Sequence, residues 1–134
     1  MPGCILIVED HRENRELMAY LLNAFGHATV LATGGAEGIR VARQASPDLI
    51  LMDLQMPVMD GYEATRLLKS DPDLGRCPVL AVTALAMVGD RDRIMGSGFD
   101  GYLTKPISAS SFVGEVEQFL PPELRTDLRH ERAS

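Results

Sequence analysis

The stretch Leu49-Ile50-Leu51-Met52-Asp53 constrains the fold more than any other, because an unbroken apolar run stops at a carboxylate. Such a run reads as a strand buried on both faces, as in a parallel sheet with helices on either side. The turn after it carries Pro57, Asp60 and Gly61. In open parallel sheets, ligands sit just beyond the carboxyl ends of the strands. Asp53 therefore stands where such a fold does its chemistry.

The rest of the chain alternates two periodicities. Cys4 to Val8 is a second continuous apolar run, ending at Glu9-Asp10. A helical pattern follows, with Leu17, Leu21 and Phe25 spaced by four, and Gly26 suits the left-handed conformation past its end. Ala28–Ala32 is a weaker strand. Gly34-Gly35 opens a small-residue helix that Ser46-Pro47 stops. Beyond Asp53 the pattern predicts a helix from Tyr62 to Lys69, a strand from Val79 ending at Thr83, and a helix from Ala86 to Met95 with Gly96 and Gly98 as terminators. A short strand then runs from Asp100 to Thr104 and ends at Lys105-Pro106. Ser108 is the expected N-cap of a last helix, whose Phe112, Val116, Phe119 and Leu120 share a face until Pro121-Pro122.

Five strand–helix alternations with short connections imply an α/β doubly wound parallel sheet, since each right-handed crossover needs a helix to return the chain. The flavodoxin-like order 2-1-3-4-5 puts the most apolar strands, the first and third, in the middle. At 134 residues the chain makes one domain, expected over 1–121, with a polar tail over 122–134 that is frayed or a single short helix. A formal net charge of −6 without a Lys/Arg cluster disfavours nucleic acid or an anionic membrane as partner. Apolar runs too short for a bilayer, and no basic-then-apolar leader, place the protein in the cytoplasm. Cys4 and Cys77 have neither disulfide-framework nor metal spacing and read as buried, inert thiols.

The strand ends carry the chemistry. In the proposed order Glu9-Asp10, Asp53, Thr83 and Lys105 converge on one rim. Three crowded acids raise one another's pKa unless a cation joins them. Oxygen-only donors select a hard ion, Mg²⁺ over Zn²⁺, and Mg²⁺ commonly adds a phosphoryl oxygen to one or two carboxylates. Asp53 is the candidate nucleophile, because carboxylates accept phosphoryl groups as acyl phosphates. Glu9, Asp10, Asp53 and the backbone carbonyl of Gln55 would hold the metal. Lys105 and Thr83 would donate to phosphoryl oxygens.

The Glu9-Asp10 pair, Leu51-Met52-Asp53-Leu54-Gln55-Met56-Pro57-Val58-Met59-Asp60-Gly61, Thr83-Ala84 and Lys105-Pro106 together resemble the receiver domain of two-component response regulators, over about residues 3–121. The resemblance implies Mg²⁺-dependent phosphorylation of Asp53 by a sensor histidine kinase or a histidine phosphotransfer protein. It implies that Asp10 binds the metal directly and that Glu9 acts on it, that Thr83 is the switch hydroxyl and Lys105 its partner at the phosphoryl group, and that the Ala84 amide is a further donor. Tyr102 matches the family's switch aromatic, and Gln55 and Leu85 occupy its two variable, lifetime-tuning positions. The domain would stand alone or belong to a larger protein such as a hybrid kinase, and would catalyse only its own phosphotransfer and dephosphorylation.

Each residue also has a plainer role open to it. Asp53 could cap a turn, Lys105 could be an ordinary surface lysine, Thr83 a strand residue and Tyr102 a packing aromatic. His11 reads as a solvated loop histidine, Met52, Met56 and Met59 as packing, and Arg91-Asp92-Arg93 as a solvated helix face. Two rival functions share the fold. An aspartyl-phosphate hydrolase wants a second acid two residues after the nucleophile, where this chain has Gln55. A flavodoxin-like binding module wants a small-residue phosphate loop after the first strand, where this chain has Glu9-Asp10-His11.

Overall fold

The computed structural model describes residues 3–84 and 88–125. In chain order the elements are β1 (Cys4–Val8), α1 (Arg12–Ala24), β2 (Ala28–Ala32), α2 (Gly35–Ala45), β3 (Leu49–Asp53), α3 (Gly61–Ser70), β4 (Val79–Thr83), α4 (Val88–Gly96), β5 (Gly101–Thr104) and α5 (Phe112–Glu117). A single 3-10 turn, Pro122–Leu124, follows. The sheet is entirely parallel in the order β2-β1-β3-β4-β5, as expected from the apolar runs. Leu85, the first residues of the expected fourth helix and the tail beyond Arg125 lie outside the described residues.

Alternation along the strands sorts the core onto two faces. Ile5, Ile7, Leu49, Leu51, Leu80 and Val82 pack under α1 and α5, against Met18, Leu22, Phe112 and Val116. Leu6, Val8, Ile50, Met52, Val79 and Ala81 face α2, α3 and α4, against Ala42, Ala64, Leu68 and Ile94. Every residue of β3 and β4 is buried, whereas β2, at the sheet edge, is mostly not. Leu124 of the 3-10 turn packs against the α1/α5 side, and Arg125 donates to the carbonyls of Leu120 and Gln118, so the first residues of the expected tail dock on the domain.

Local signals place most boundaries. Gly26 has φ 91° after α1, Ser46 takes the left-handed conformation after α2, and Gly98 (φ 98°) follows α4. The Asp60 carboxylate accepts from the Glu63 amide at 2.9 Å, capping α3. Ser108 does not cap the last helix. Its carbonyl accepts from Ser111 and Phe112, forming a turn, and α5 starts at Phe112 with Ser111 at the N-cap position. The apolar face of Phe112, Val113 and Val116 decides where the helix docks, and the neighbouring serines offer no local preference. Asp100 is likewise an anchor ahead of β5: its Oδ2 accepts from the Val79 amide and Lys69 Nζ, both at 2.8 Å.

One buried polar pair has no counterpart in the sequence pattern. His27, after α1, is 2% exposed, and Glu117 at the end of α5 is 4% exposed. The Gly3 amide donates to His27 Nδ1 at 3.0 Å, so Nε2 carries the proton and donates to Glu117 Oε2 at 2.5 Å. Removing one member of such a pair takes a buried hydrogen bond from the other. His27→Phe should therefore cost roughly 3–5 kcal/mol by urea denaturation, and His27→Phe with Glu117→Leu should regain much of that loss. A single-variant cost within about 0.5 kcal/mol of zero, the range of ordinary surface changes, would show that the pair does not hold these segments together.

Candidate phosphoacceptor and metal site

Sheet register builds the site. Val8 pairs with Met52, Asp53 with Val82, and Thr83 with Thr104, so the residues that end β1, β3, β4 and β5 line one rim. Glu9 (0%) and Asp53 (3%) are buried there, as is Thr83 (3%), while Asp10 is half-buried. Lys105, beyond β5 and preceding the cis Lys105–Pro106 peptide, reaches back across the rim. Its Nζ lies 3.0 Å from Glu9 Oε1 and 3.3 Å from Asp53 Oδ1. The Lys105 amide donates to the Thr83 carbonyl at 2.8 Å, tying the two loops together.

Backbone amides complete the frame. Gln55 N–H donates to Asp53 Oδ1 at 3.2 Å, and His11 N–H donates to Glu9 Oε2 at 3.1 Å. Arg15, one turn into α1, donates through Nη1 to the carbonyls of Glu9 (2.9 Å) and Asp10 (3.4 Å). Gly61 lets α3 start against β3: a Cβ there would lie 2.3 Å from the Asp53 carbonyl oxygen. Ala84 is exposed at the bend after β4, and Tyr102 is half-buried in β5 against the α2–α4 side of the core. Thus Glu9, Asp10, Asp53, Gln55, Thr83 and Lys105 gather on one rim, with Ala84 beside them and Tyr102 on the edge strand β5, two residues before Thr104.

The other residues fall largely where their plainer readings put them. The His11 side chain is 76% exposed, with Nδ1 3.8 Å from Asp10 Oδ1. Met52 and Met56 are buried. Cys4 and Cys77 are half-buried, not fully buried as expected, because each stands at the margin of its apolar run; what burial they have pushes the Cys77 thiol up to about 11 and raises Cys4 as well. Arg91, Asp92 and Arg93 are all exposed, as expected, and the Arg93 guanidinium also sits 4.1 Å over the Tyr62 ring, which in turn meets Phe99 edge-on. A cleft of about 250 Å³ between Gln55, Thr83, Tyr62 and Arg93 opens beside the rim. The Arg15 and Arg93 contacts were not legible in the sequence, since an arginine on a helix is ordinarily solvated.

The electrostatics call for a cation. Asp10 Oδ1 and Glu9 Oε1 are buried without a hydrogen-bond donor among the described residues, Lys105 approaching the latter only off the line of a good bond. Burial first, and then Glu9, push the Asp53 carboxyl up to about 7, with Lys105 and the Gln55 amide pulling the other way. Burial also acts to raise Asp10, but hydrogen bonding with Asp53 and Glu9 outweighs it and leaves Asp10 below the usual range. Burial would depress Lys105, yet Glu9 and Asp53 hold it above its ordinary value. One ammonium against three carboxyl groups leaves room for a hard divalent ion; ligand atoms of Glu9, Asp10 and the exposed His11 lie within 4.8 Å of one another, and the carboxylates of the rim suit such an ion.

A pH signature follows. The folded state holds the Asp53 proton more tightly than the unfolded chain. Its contribution to stability is complete below about pH 4 and is lost as pH rises through about 7. In chelator, Asp53→Asn should therefore gain stability relative to the parent between pH values of about 4 and about 8. Excess divalent cation at the upper pH should remove the advantage. Urea denaturation across the range checks this, and a difference that stays constant with pH would contradict it.

Comparison with known proteins identifies the family. A family model, the response regulator receiver domain, matches residues 5–117. The chain is 43% identical over 120 residues to the polar-differentiation response regulator DivK of Brucella anthropi, covering 90% of this chain and 98% of that protein. Among solved structures it is similar to the receiver domain of the sensor histidine kinase PA1611 of Pseudomonas aeruginosa, which has a magnesium ion in its active-site cleft. That match is 33% identical with a TM-score of 0.81, covering 89% of this chain and 98% of that one. It also resembles the Saccharomyces cerevisiae receiver domain of Ssk1, crystallised with the histidine phosphotransfer protein Ypd1, at 25% identity and a TM-score of 0.82 over 95% and 94% of the chains. The chain belongs to the response regulator receiver domain family.

Proposed function

We propose that this receiver domain takes a phosphoryl group from a phosphohistidine onto the carboxylate of Asp53, and that the acyl phosphate changes which partner the domain binds. The observation that carries the reading is the convergence of Glu9, Asp10 and Asp53 on one rim under Lys105. In the transfer the phosphorus–nitrogen bond to the donor imidazole breaks, and a phosphorus–oxygen bond to Asp53 forms. Glu9, Asp10, Asp53 and the Gln55 carbonyl would hold Mg²⁺, which would neutralise charge on the transferring group and its oxygens.

The chain's own residues do the positioning. Lys105 favours the ionised form of Asp53 against the opposing effects of burial and Glu9, and then pairs with a phosphoryl oxygen. Thr83 and the Ala84 amide supply neutral donors from the end of β4. Phosphorylation adds roughly −1.5 to −2 charge, drawing Thr83 and Lys105 inward. The loop after β4 shifts with them, and Tyr102 turns toward the space vacated. This biases a two-state surface of α4, β5 and α5. The donor is a sensor histidine kinase or a histidine phosphotransfer protein, and the domain, extending over 1–121, catalyses only its own phosphorylation and dephosphorylation. A cytoplasmic setting suits such a partner. The absence of a helix able to cross a membrane among the described residues is compatible with it.

Incubation with a small phosphodonor and Mg²⁺ should give one base-labile phosphate per chain, lost with chelator and absent in Asp53→Asn. Full labelling of Asp53→Asn would refute the assignment. Thr83→Ala should still accept the phosphoryl group but no longer change partner affinity on phosphorylation, as read by binding to a cognate phosphotransfer protein before and after labelling. An undiminished response would remove Thr83 from the switch.

A further inference from the structure

We infer that Arg15 is a positioning residue for the metal site, acting through the backbone of the β1–α1 loop. The inference rests on the magnesium reading above and extends it to a residue outside the donor set. Arg15 is half-buried in α1, a helix seated on the core by Met18 and Leu22. Among the described residues its guanidinium forms no ion pair with a carboxylate, although its neighbour Arg12 pairs with Glu16 at 2.8 Å. Instead a single nitrogen, Nη1, bridges two successive carbonyls, a good hydrogen bond to Glu9 and a longer one to Asp10.

Those two peptides carry two of the carboxylates of the site. The Glu9 amide is already tied to the Ala32 carbonyl of β2 at 3.0 Å, and its side chain meets His11 N–H and Lys105. Arg15 engages the carbonyl of the next peptide, so both backbone groups of Glu9 are held, and joins the loop to α1. Magnesium demands near-octahedral geometry at short distances, so a slackened loop spreads the carboxylates and weakens binding.

The guanidinium also has the opposite, purely electrostatic tendency, because a fixed positive charge repels a divalent cation. The two effects predict opposite signs when Arg15 is removed, which makes the question decidable. If positioning dominates, Arg15→Met, which keeps the apolar stem and removes the donors and the charge, binds Mg²⁺ about tenfold more weakly, the scale of one charge-assisted hydrogen bond. Arg15→Lys restores affinity to within about twofold of the parent, since one ammonium can serve both carbonyls as Nη1 does.

Isothermal titration of metal-free protein with MgCl₂ near neutral pH reads these affinities without any phosphodonor. Amide NMR spectra of the same samples report whether the Glu9, Asp10 and His11 signals move while the core signals stay in place. Weaker binding in Arg15→Met, rescue in Arg15→Lys and shifts confined to the loop are the expected results. Unchanged or tighter Mg²⁺ binding in Arg15→Met, or an Arg15→Lys no better than Arg15→Met, overturns the inference while leaving the magnesium reading intact. Absence of Mg²⁺ binding by the parent protein overturns the magnesium reading itself. Should Arg15→Met fold too poorly to titrate, Arg15→Gln is judged by the same criteria.

Discussion

The structure turns on one unbalanced charge arrangement: three carboxyl groups forced together at the rim of a parallel sheet, answered by a single lysine. Taking even one carboxylate out of water is expensive, and here Glu9 and Asp53 are almost wholly enclosed. Lys105 offsets part of that cost by lying between them, which is why its own proton is held more tightly than usual. The residue of the imbalance falls on Asp53, the group with an acidity displaced nearly to neutrality. A site in this condition is poised to gain positive charge and to have its central oxygen converted into something else.

Only a rigid frame can hold like charges in that state. The two-sided core provides it, with β3 and β4 buried along their whole length and helices on both faces. Strand register then converts linear sequence into a row of neighbours, because Asp53 is level with Val82, Thr83 with Thr104, and Glu9 follows the Val8–Met52 pair. Chemistry at the rim therefore depends on apolar residues that never approach a ligand. A strand shifted by one position would turn its carboxylate to the opposite face.

Much of this was readable from residue order alone. Unbroken apolar runs mark central strands, and the polar residue that stops each one marks the rim, so sheet order and the positions of Glu9, Asp10, Asp53, Thr83 and Lys105 follow from pattern. What stayed hidden has a common cause: contacts between residues far apart in the chain, made by side chains that look ordinary in isolation. His27 meets Glu117 across 90 positions. Arg93, on a helix face as exposed as expected, also covers the ring of Tyr62 from α3. The start of α5 was misplaced because several serines in succession could each cap a helix, and only docking of Phe112 and Val116 chooses among them.

The buried histidine has a wider mechanical meaning. Both ring nitrogens are engaged, one by the segment leading into β1 and the other by the last helix. The imidazole therefore works as a rivet that fastens the segment before β1 to the helix α5. A tug applied near Gly3 would be shared with α5 through that rivet as well as with β1 and its neighbours in the sheet.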